Sequence, residues 1–215
     1  MRRCRLFASL FGSLVLSGTA VADTLYVDPS GQTPFTSIQT AIDAAVDGDV
    51  ILVFPGTYGP IDFLGKDLVV RAAGGPVITT IDATGSGGPA VTFVDAEPAT
   101  ALLHGFTITG GQGRADDAFV IEMGGGVYIS KFAGPRISGN IIVGNTADAG
   151  AGIAVTGGTP HIYGNVVREN TATQGAGGVV VQSPAGFVGT TVLSCNQVLG
   201  NVGGDVGGLY IGGDV

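Results

Sequence analysis

In the second half of the chain, apolar and small residues recur with a fixed long period. Gly125-Gly126-Val127-Tyr128-Ile129 returns as Ala151-Gly152-Ile153-Ala154-Val155, Gly177-Gly178-Val179-Val180-Val181 and Gly207-Gly208-Leu209-Tyr210-Ile211. The second glycine falls at 126, 152, 178 and 208. Side chains of a strand point alternately to its two faces. Val127, Ile153, Val179 and Leu209 therefore form one aliphatic column, and Ile129, Val155, Val181 and Ile211 another; both are expected to face a core. Tyr128, Ala154, Val180 and Tyr210 lie between them and should point outward. A second motif fills the gaps: Gly139-Asn140-Ile141-Ile142-Val143-Gly144-Asn145, Gly164-Asn165-Val166-Val167-Arg168-Glu169-Asn170 and Cys195-Asn196-Gln197-Val198-Leu199-Gly200-Asn201. Its aliphatic positions stack in the same way. Its asparagines fall at matching corners, where they are expected to form turns and hydrogen-bonded ladders.

The first half lacks this regularity but has the same texture. Thr24–Val27 reads as a strand, and so do the short β-branched runs Val50–Phe54, Leu68–Arg71, Val77–Ile81, Val91–Val94 and Gly105–Thr109, each bounded by Gly, Pro or Asp. Between the first two lies a single helical pattern over 37–47. Ile38, Ala41, Ile42, Ala45 and Val46 share one face, and Thr36 with Gln39 is spaced as a capping box. Fixed-period self-similarity of this kind predicts a solenoid. A parallel β-helix satisfies the pattern, each strand pairing with its equivalent one coil away, at a rise of about 4.8 Å per coil. The 37–47 helix would cover the first sheet edge. No second cap is visible: the chain stops at Val215 in mid-coil, so a truncated chain, or a last coil covered by a partner, is expected.

The N-terminus changes the picture of where the protein works. Arg2, Arg3 and Arg5 precede the apolar run Leu6–Leu16, and Ala20-Val21-Ala22 is a small-x-small cleavage signal, so residues 1–22 read as a signal peptide and 23–215 as the mature β-helix domain. The expected location is secreted, periplasmic or cell-surface. The apolar run is short for a membrane span, and no later stretch replaces it. Cleavage removes three of the nine basic residues and leaves the 17 acidic ones, a net charge of −11. Such a charge disfavours nucleic acid and anionic membrane surfaces as partners. Only Cys195 remains of the two cysteines, so no intrachain disulfide can form. The 39 glycines without a Gly-x-y period exclude collagen, and 45% hydrophobic residues exclude disorder.

Particular residues resemble a known group. Phe35-Thr36-Ser37-Ile38-Gln39 through Ala45, Gly48-Asp49-Val50-Ile51-Leu52-Val53 and Pro55-Gly56-Thr57-Tyr58 look like the opening segment of pectin-lyase-like proteins. Gly105-Phe106-Thr107-Ile108-Thr109-Gly110-Gly111 and the Gly-Asn-x-Ile-x-x-Asn coils are similar to that group too. The resemblance covers nearly all of 24–215. It implies an all-β fold: a right-handed, single-stranded parallel β-helix behind a short capping helix. It does not imply one activity, since the superfamily holds pectate lyases, pectin methylesterases, polygalacturonases, phage tailspikes and many surface proteins. The Gln-Asp-Thr-Leu-like motif of the methylesterases is missing. The Gly-His-Gly of the polygalacturonases has no counterpart at His104 or His161.

Chemistry is therefore sought where the repeat is broken. The long connection 110–124 carries Arg114, Asp116, Asp117 and Glu122; its three carboxylates are a candidate calcium site, and calcium is the one cofactor the residues suggest. Arg168-Glu169 stands where neighbouring coils have Val143-Gly144 and Leu199-Gly200, either as an acid/base pair or as a simple salt bridge. Tyr128 and Tyr210 are outward aromatics suited to stacking on sugar rings. The insertion Pro184–Gly189 projects with Phe187 at its tip. His161 reads as a surface residue and Cys195 as a buried small one. The expected function is a non-catalytic extracellular or surface module that binds a polysaccharide or a cell-surface protein. The alternative is a lyase or hydrolase acting on acidic polysaccharide.

Overall fold

A computed structural model describes residues 22–116 and 118–213. Residues 1–21 of the expected signal peptide, Asp117 and the last two residues lie outside that range. Three parallel sheets run the length of the molecule, and the chain visits them in rotation. Sheet I holds Thr24–Val27, Val50–Val53, Val69–Ala72, Leu102–His104, Arg136–Ser138, His161–Tyr163 and Val192–Ser194. Sheet II holds Gly56–Tyr58, Thr79–Asp82, Thr107–Thr109, Ile141–Val143, Val166–Arg168 and Gln197–Leu199. Sheet III holds Ile61–Asp62, Val91–Phe93, Val127–Ser130, Ile153–Thr156, Val179–Ser183 and Leu209–Gly213. This is a parallel β-helix. The predicted columns hold in register: Val127 pairs Ile153, Ile153 pairs Val179 and Val179 pairs Leu209.

The core is the space the three sheets enclose. Ile137, Ile142, Ile153 and Ile129 are fully buried in it, and early coils add aromatic volume, with Phe63 and Phe93 at 4.3 Å between ring centroids. The beat glycines have a packing role. Gly126, Gly152 and Gly178 are absent from the residues of positive φ, so their backbone needs no glycine. They are small because the next coil lies against them: a Cβ on Gly152 would stand 2.5 Å from Gly178 O and 2.6 Å from Val167 Cγ1.

The asparagine ladders form as expected, with a correction to the turns. Asn140 Nδ2 donates to Asn165 Oδ1 at 3.1 Å, and Asn165 Nδ2 to Asn196 Oδ1 at 3.0 Å. The second ladder joins Asn145, Asn170 and Asn201 at 2.9 Å per step. The side-chain oxygens of Asn165, Asn170, Asn196 and Asn201 also accept the backbone N–H of the Asn one coil earlier, and those of Asn140 and Asn145 accept the N–H groups of Phe106 and Gly111. The left-handed residue of each turn is not the asparagine but the residue before it: Gly139, Gly144, Gly164, Glu169, Cys195 and Gly200 all have φ between 54° and 69°. The asparagines point inward, where they satisfy polar backbone at buried corners. Cys195, expected inside, is exposed.

The helix spans Ile38–Ala44 and buries Ile38, Ala41 and Ile42 against the first coil. It is shorter than expected, and Val46 is 54% exposed. The Thr36–Gln39 capping box does not form; the N-cap is Ser37, without a side-chain cap bond. Gln39 instead reads the backbone of Asp62, accepting its N–H at 2.8 Å and donating to its carbonyl at 3.2 Å. Lys66 supplies the far end: its ammonium donates to the carbonyls of Ile42, Asp43 and Ala45 at 2.7–3.0 Å, where a helix C-terminus favours a cation. The strand expected at Val77–Ile81 begins two residues later, and Val77 is 85% exposed. Among the described residues no helix is long and apolar enough to cross a membrane.

Candidate functional site

The outer face of sheet III differs from the other faces because it is partly roofed. The connection from sheet II folds back as a small antiparallel hairpin, Arg114–Ala115 with Glu122–Met123. Asp116 shapes its tip. Its Oδ1 accepts the N–H groups of Ala118 at 2.8 Å and Phe119 at 3.3 Å, a local turn that an Asp side chain is suited to make. Beneath the hairpin a second small core forms from Val94, Met123, Tyr128, Ala149, Ala154, Ala176 and Val180, with Phe119 and Ile121 against it.

This roof corrects the reading of Tyr128. It sits in the outward column, as the pairing Tyr128–Ala154–Val180–Tyr210 shows, yet it is only 4% exposed. Its hydroxyl donates to Asp116 Oδ2 at 2.5 Å and accepts from Thr156 Oγ1 at 3.3 Å. The Arg114 guanidinium lies 5.2 Å from the ring centroid. Burial, and then the Asp116 carboxylate, push the phenol upward from its ordinary range. Tyr128 therefore cannot stack on a sugar; it anchors the loop. Only the last tyrosine of the column, Tyr210, is open, at 44% exposure.

Of the calcium candidates, Asp116 and Glu122 are described. Asp116 is 6% exposed and its two oxygens are engaged by Tyr128 and the hairpin backbone. Glu122 is exposed, while its backbone N–H is held by Asp148 Oδ2 at 3.2 Å. Asp117 lies outside the described residues, among which no group of three or more His, Cys, Asp or Glu side chains is placed to hold a metal. Arg168 and Glu169 make an exposed ion pair at 2.5 Å on sheet II, away from the roofed face. A pair with 40% and 64% of its side chains exposed is worth at most about 1 kcal/mol.

Beside the hairpin a groove of about 350 Å³ runs between it and the Pro184–Gly189 insertion. Its floor carries Tyr128, Ser130 and Thr156, and its rim carries Lys131, Phe132 and Phe187. Phe132 is 69% exposed, and its ring faces Phe187 at 5.5 Å and 32°. Lys131 and Phe132 are both in the left-handed region, at φ 51° and 67°. Consecutive non-glycine residues there are strained, and such strain concentrates at functional sites. The equivalent corner of the next coil is Gly157-Gly158. That replacement was the available sequence signal for Phe132; Phe187 was visible through the lengthened coil.

No family model matches the chain, and no curated protein matches it. Among solved structures it is similar to a pectin methylesterase from carrot, at 15% identity over 86% of this chain and 70% of that one, with a TM-score of 0.43.

Proposed function

We propose that this chain is an exported, non-catalytic β-helix module that binds a glycan in the groove over sheet III. The observation that carries the reading is the strained corner Lys131-Phe132, which holds an apolar ring in solvent against Phe187. An exposed ring at a left-handed position lowers stability where the next coil uses glycine. Paired aromatics beside hydroxyls and a lysine suit a sugar, whose C–H faces stack on rings while its hydroxyls take polar partners. The groove floor offers Ser130 and Thr156, and its rim offers Lys131. Asp116 already accepts the Tyr128 hydroxyl and two backbone N–H groups in a structural turn, and this favours binding over acid/base chemistry.

The test is a glycan array with the mature chain, followed by titration of each hit against Phe132→Ala and Phe187→Ala. Each truncation is expected to weaken binding about tenfold, near 1.4 kcal/mol. Binding is expected to persist in EDTA. Hits that bind both variants like the parent would overturn the groove assignment. Release of reducing ends or unsaturated products from a bound glycan would overturn the non-catalytic reading in favour of a polysaccharide lyase or hydrolase.

A further inference from the structure

Sheet I carries a charge pattern opposite to that of the chain. Its outward positions follow from the register. One column runs Tyr26, Leu52, Arg71, His104, Ser138, Tyr163, Ser194; its neighbour runs Thr24, Val50, Val69, Leu102, Arg136, His161, Val192. Neither column contains an aspartate or glutamate, although the sequence holds 17 acidic residues against nine basic. Two arginines and both histidines of the protein fall here, on four successive strands. Among the described residues the sole ion pair is Arg168–Glu169 on sheet II, so neither Arg71 nor Arg136 is neutralised by a carboxylate. Arg136 Nε is buried without a hydrogen-bond partner, and Nη2 reaches only Thr100 O at 3.4 Å. The flanking acids are turned to other work: Asp67 accepts the Thr100 hydroxyl at 2.8 Å, and Asp49 accepts the backbone N–H groups of Asp23 and Val46.

The face is also hollow. A groove of about 660 Å³ lies over it, lined by Arg71, His104, Ser138 and Tyr163 with Val69 and Leu102 beneath. Its polar groups are positioned. His104 Nδ1 is 3.0 Å from Ser138 Oγ, which fixes the ring and leaves Nε2 outside that hydrogen bond. His161 lies 4.8 Å from the Tyr163 ring, and its Nε2 is 3.2 Å from Ser194 Oγ.

We propose that the outer face of sheet I binds a linear acidic glycan lying along the solenoid axis. Arg71 with His104, and Arg136 with His161, take its anionic groups on neighbouring coils. Guanidinium presents a fork that matches carboxylate and sulfate alike, and imidazole adds a single N–H donor. Tyr163 and the aliphatic floor receive the sugar faces. The net charge of the remaining surface works against every polyanion, so single-stranded DNA, which carries charge without sugar faces for Tyr163 and the aliphatic floor, serves as the control for charge alone. This site is separate from the sheet III groove and does not depend on it.

The experiment is retention of the mature chain on polyuronate, sulfated dextran, neutral dextran and single-stranded DNA at about 10 mM salt, where screening is weakest, followed by titration with salt. One or both acidic glycans should hold the protein and neutral dextran should not; which of the two elutes later distinguishes carboxylate from sulfate. Arg71→Gln combined with His104→Gln should weaken binding at least about tenfold. Arg168→Gln, which removes a cation from sheet II, should leave it unchanged. Circular dichroism melts establish that the variants fold. Retention on neither acidic glycan, equal loss in Arg168→Gln, no loss in the double variant, or equal retention on DNA would each overturn the proposal.

Discussion

A methyl group on Gly152 would stand 2.5 Å from the carbonyl of Gly178 and 3.0 Å from Asn170 Nδ2, so neither the next coil nor the ladder leaves it room. Overpacking of this kind distorts backbone rather than a flexible side chain. Gly152→Ala is therefore expected to lower stability by about 3 kcal/mol in urea denaturation. An exposed glycine such as Gly164, with nothing within 4 Å, is open to a side chain sterically but sits at φ 64°. Cys195 occupies the equivalent turn at φ 54° and is exposed. A left-handed L-residue costs about 1–2 kcal/mol, partly offset because glycine adds entropy to the unfolded chain. Cys195→Gly should then raise stability by about 0.5–1 kcal/mol, read as a higher urea midpoint; a lower midpoint would show that the thiol makes a contact of its own. These two glycine positions look alike in the sequence. One is required by an approach between coils, the other by backbone conformation.

The hairpin 114–123 is held by elements that are distant in energy as well as in sequence. Tyr128 belongs to a central strand of sheet III, whereas Asp116 belongs to the loop, and their 2.5 Å hydrogen bond joins the two. Tyr128→Phe keeps the buried ring and removes that bond. The expected result is faster proteolysis within 114–123 with a global loss of about 1–2 kcal/mol, since Asp116 keeps its backbone donors and the charge is only partly stranded. Cleavage no faster than in the parent would mean that Phe119, Ile121 and Met123 hold the hairpin by packing alone. The repeat made the sheet III strand and its outward tyrosine legible, because period-two alternation is local. It did not show that a loop would cover that tyrosine, which depends on where a non-repeating segment folds back. The Lys66 cap on the helix and the Gln39 grip on Asp62 were hidden for the same reason: both are tertiary replacements for a local capping pattern that the sequence offered at Thr36 and the protein does not use.

Along the whole molecule each coil touches mainly its two neighbours, so stability is a sum of coil and interface contributions rather than one central core. Those contributions are uneven. Ile137, Ile142, Ile153 and Val167 are fully buried, and the ladder asparagines Asn140, Asn145, Asn165 and Asn170 are at most 1% exposed. Further along, Leu193 and Val198 are only partly buried, Leu209 is 42% exposed and Ile211 67%. The ladders thin in the same direction: Asn165 and Asn170 each receive and give hydrogen bonds to asparagines on both sides, whereas Asn196 and Asn201 are reached from one side. The aliphatic columns gave no hint of this gradient in the sequence, since Val179 and Leu209 read alike there. Burial depends on what lies over a coil, not on the coil's own pattern. Hydrogen exchange should report it directly. Amides of Ile141–Val143 and Ile153–Thr156 are expected to exchange about a hundredfold more slowly than those of Gln197–Leu199 and Leu209–Ile211, through local opening of the later coils. Uniform protection from Ile141 to Ile211 would show instead that the coils open as one unit, and that the asparagine ladders couple them more strongly than aliphatic burial does.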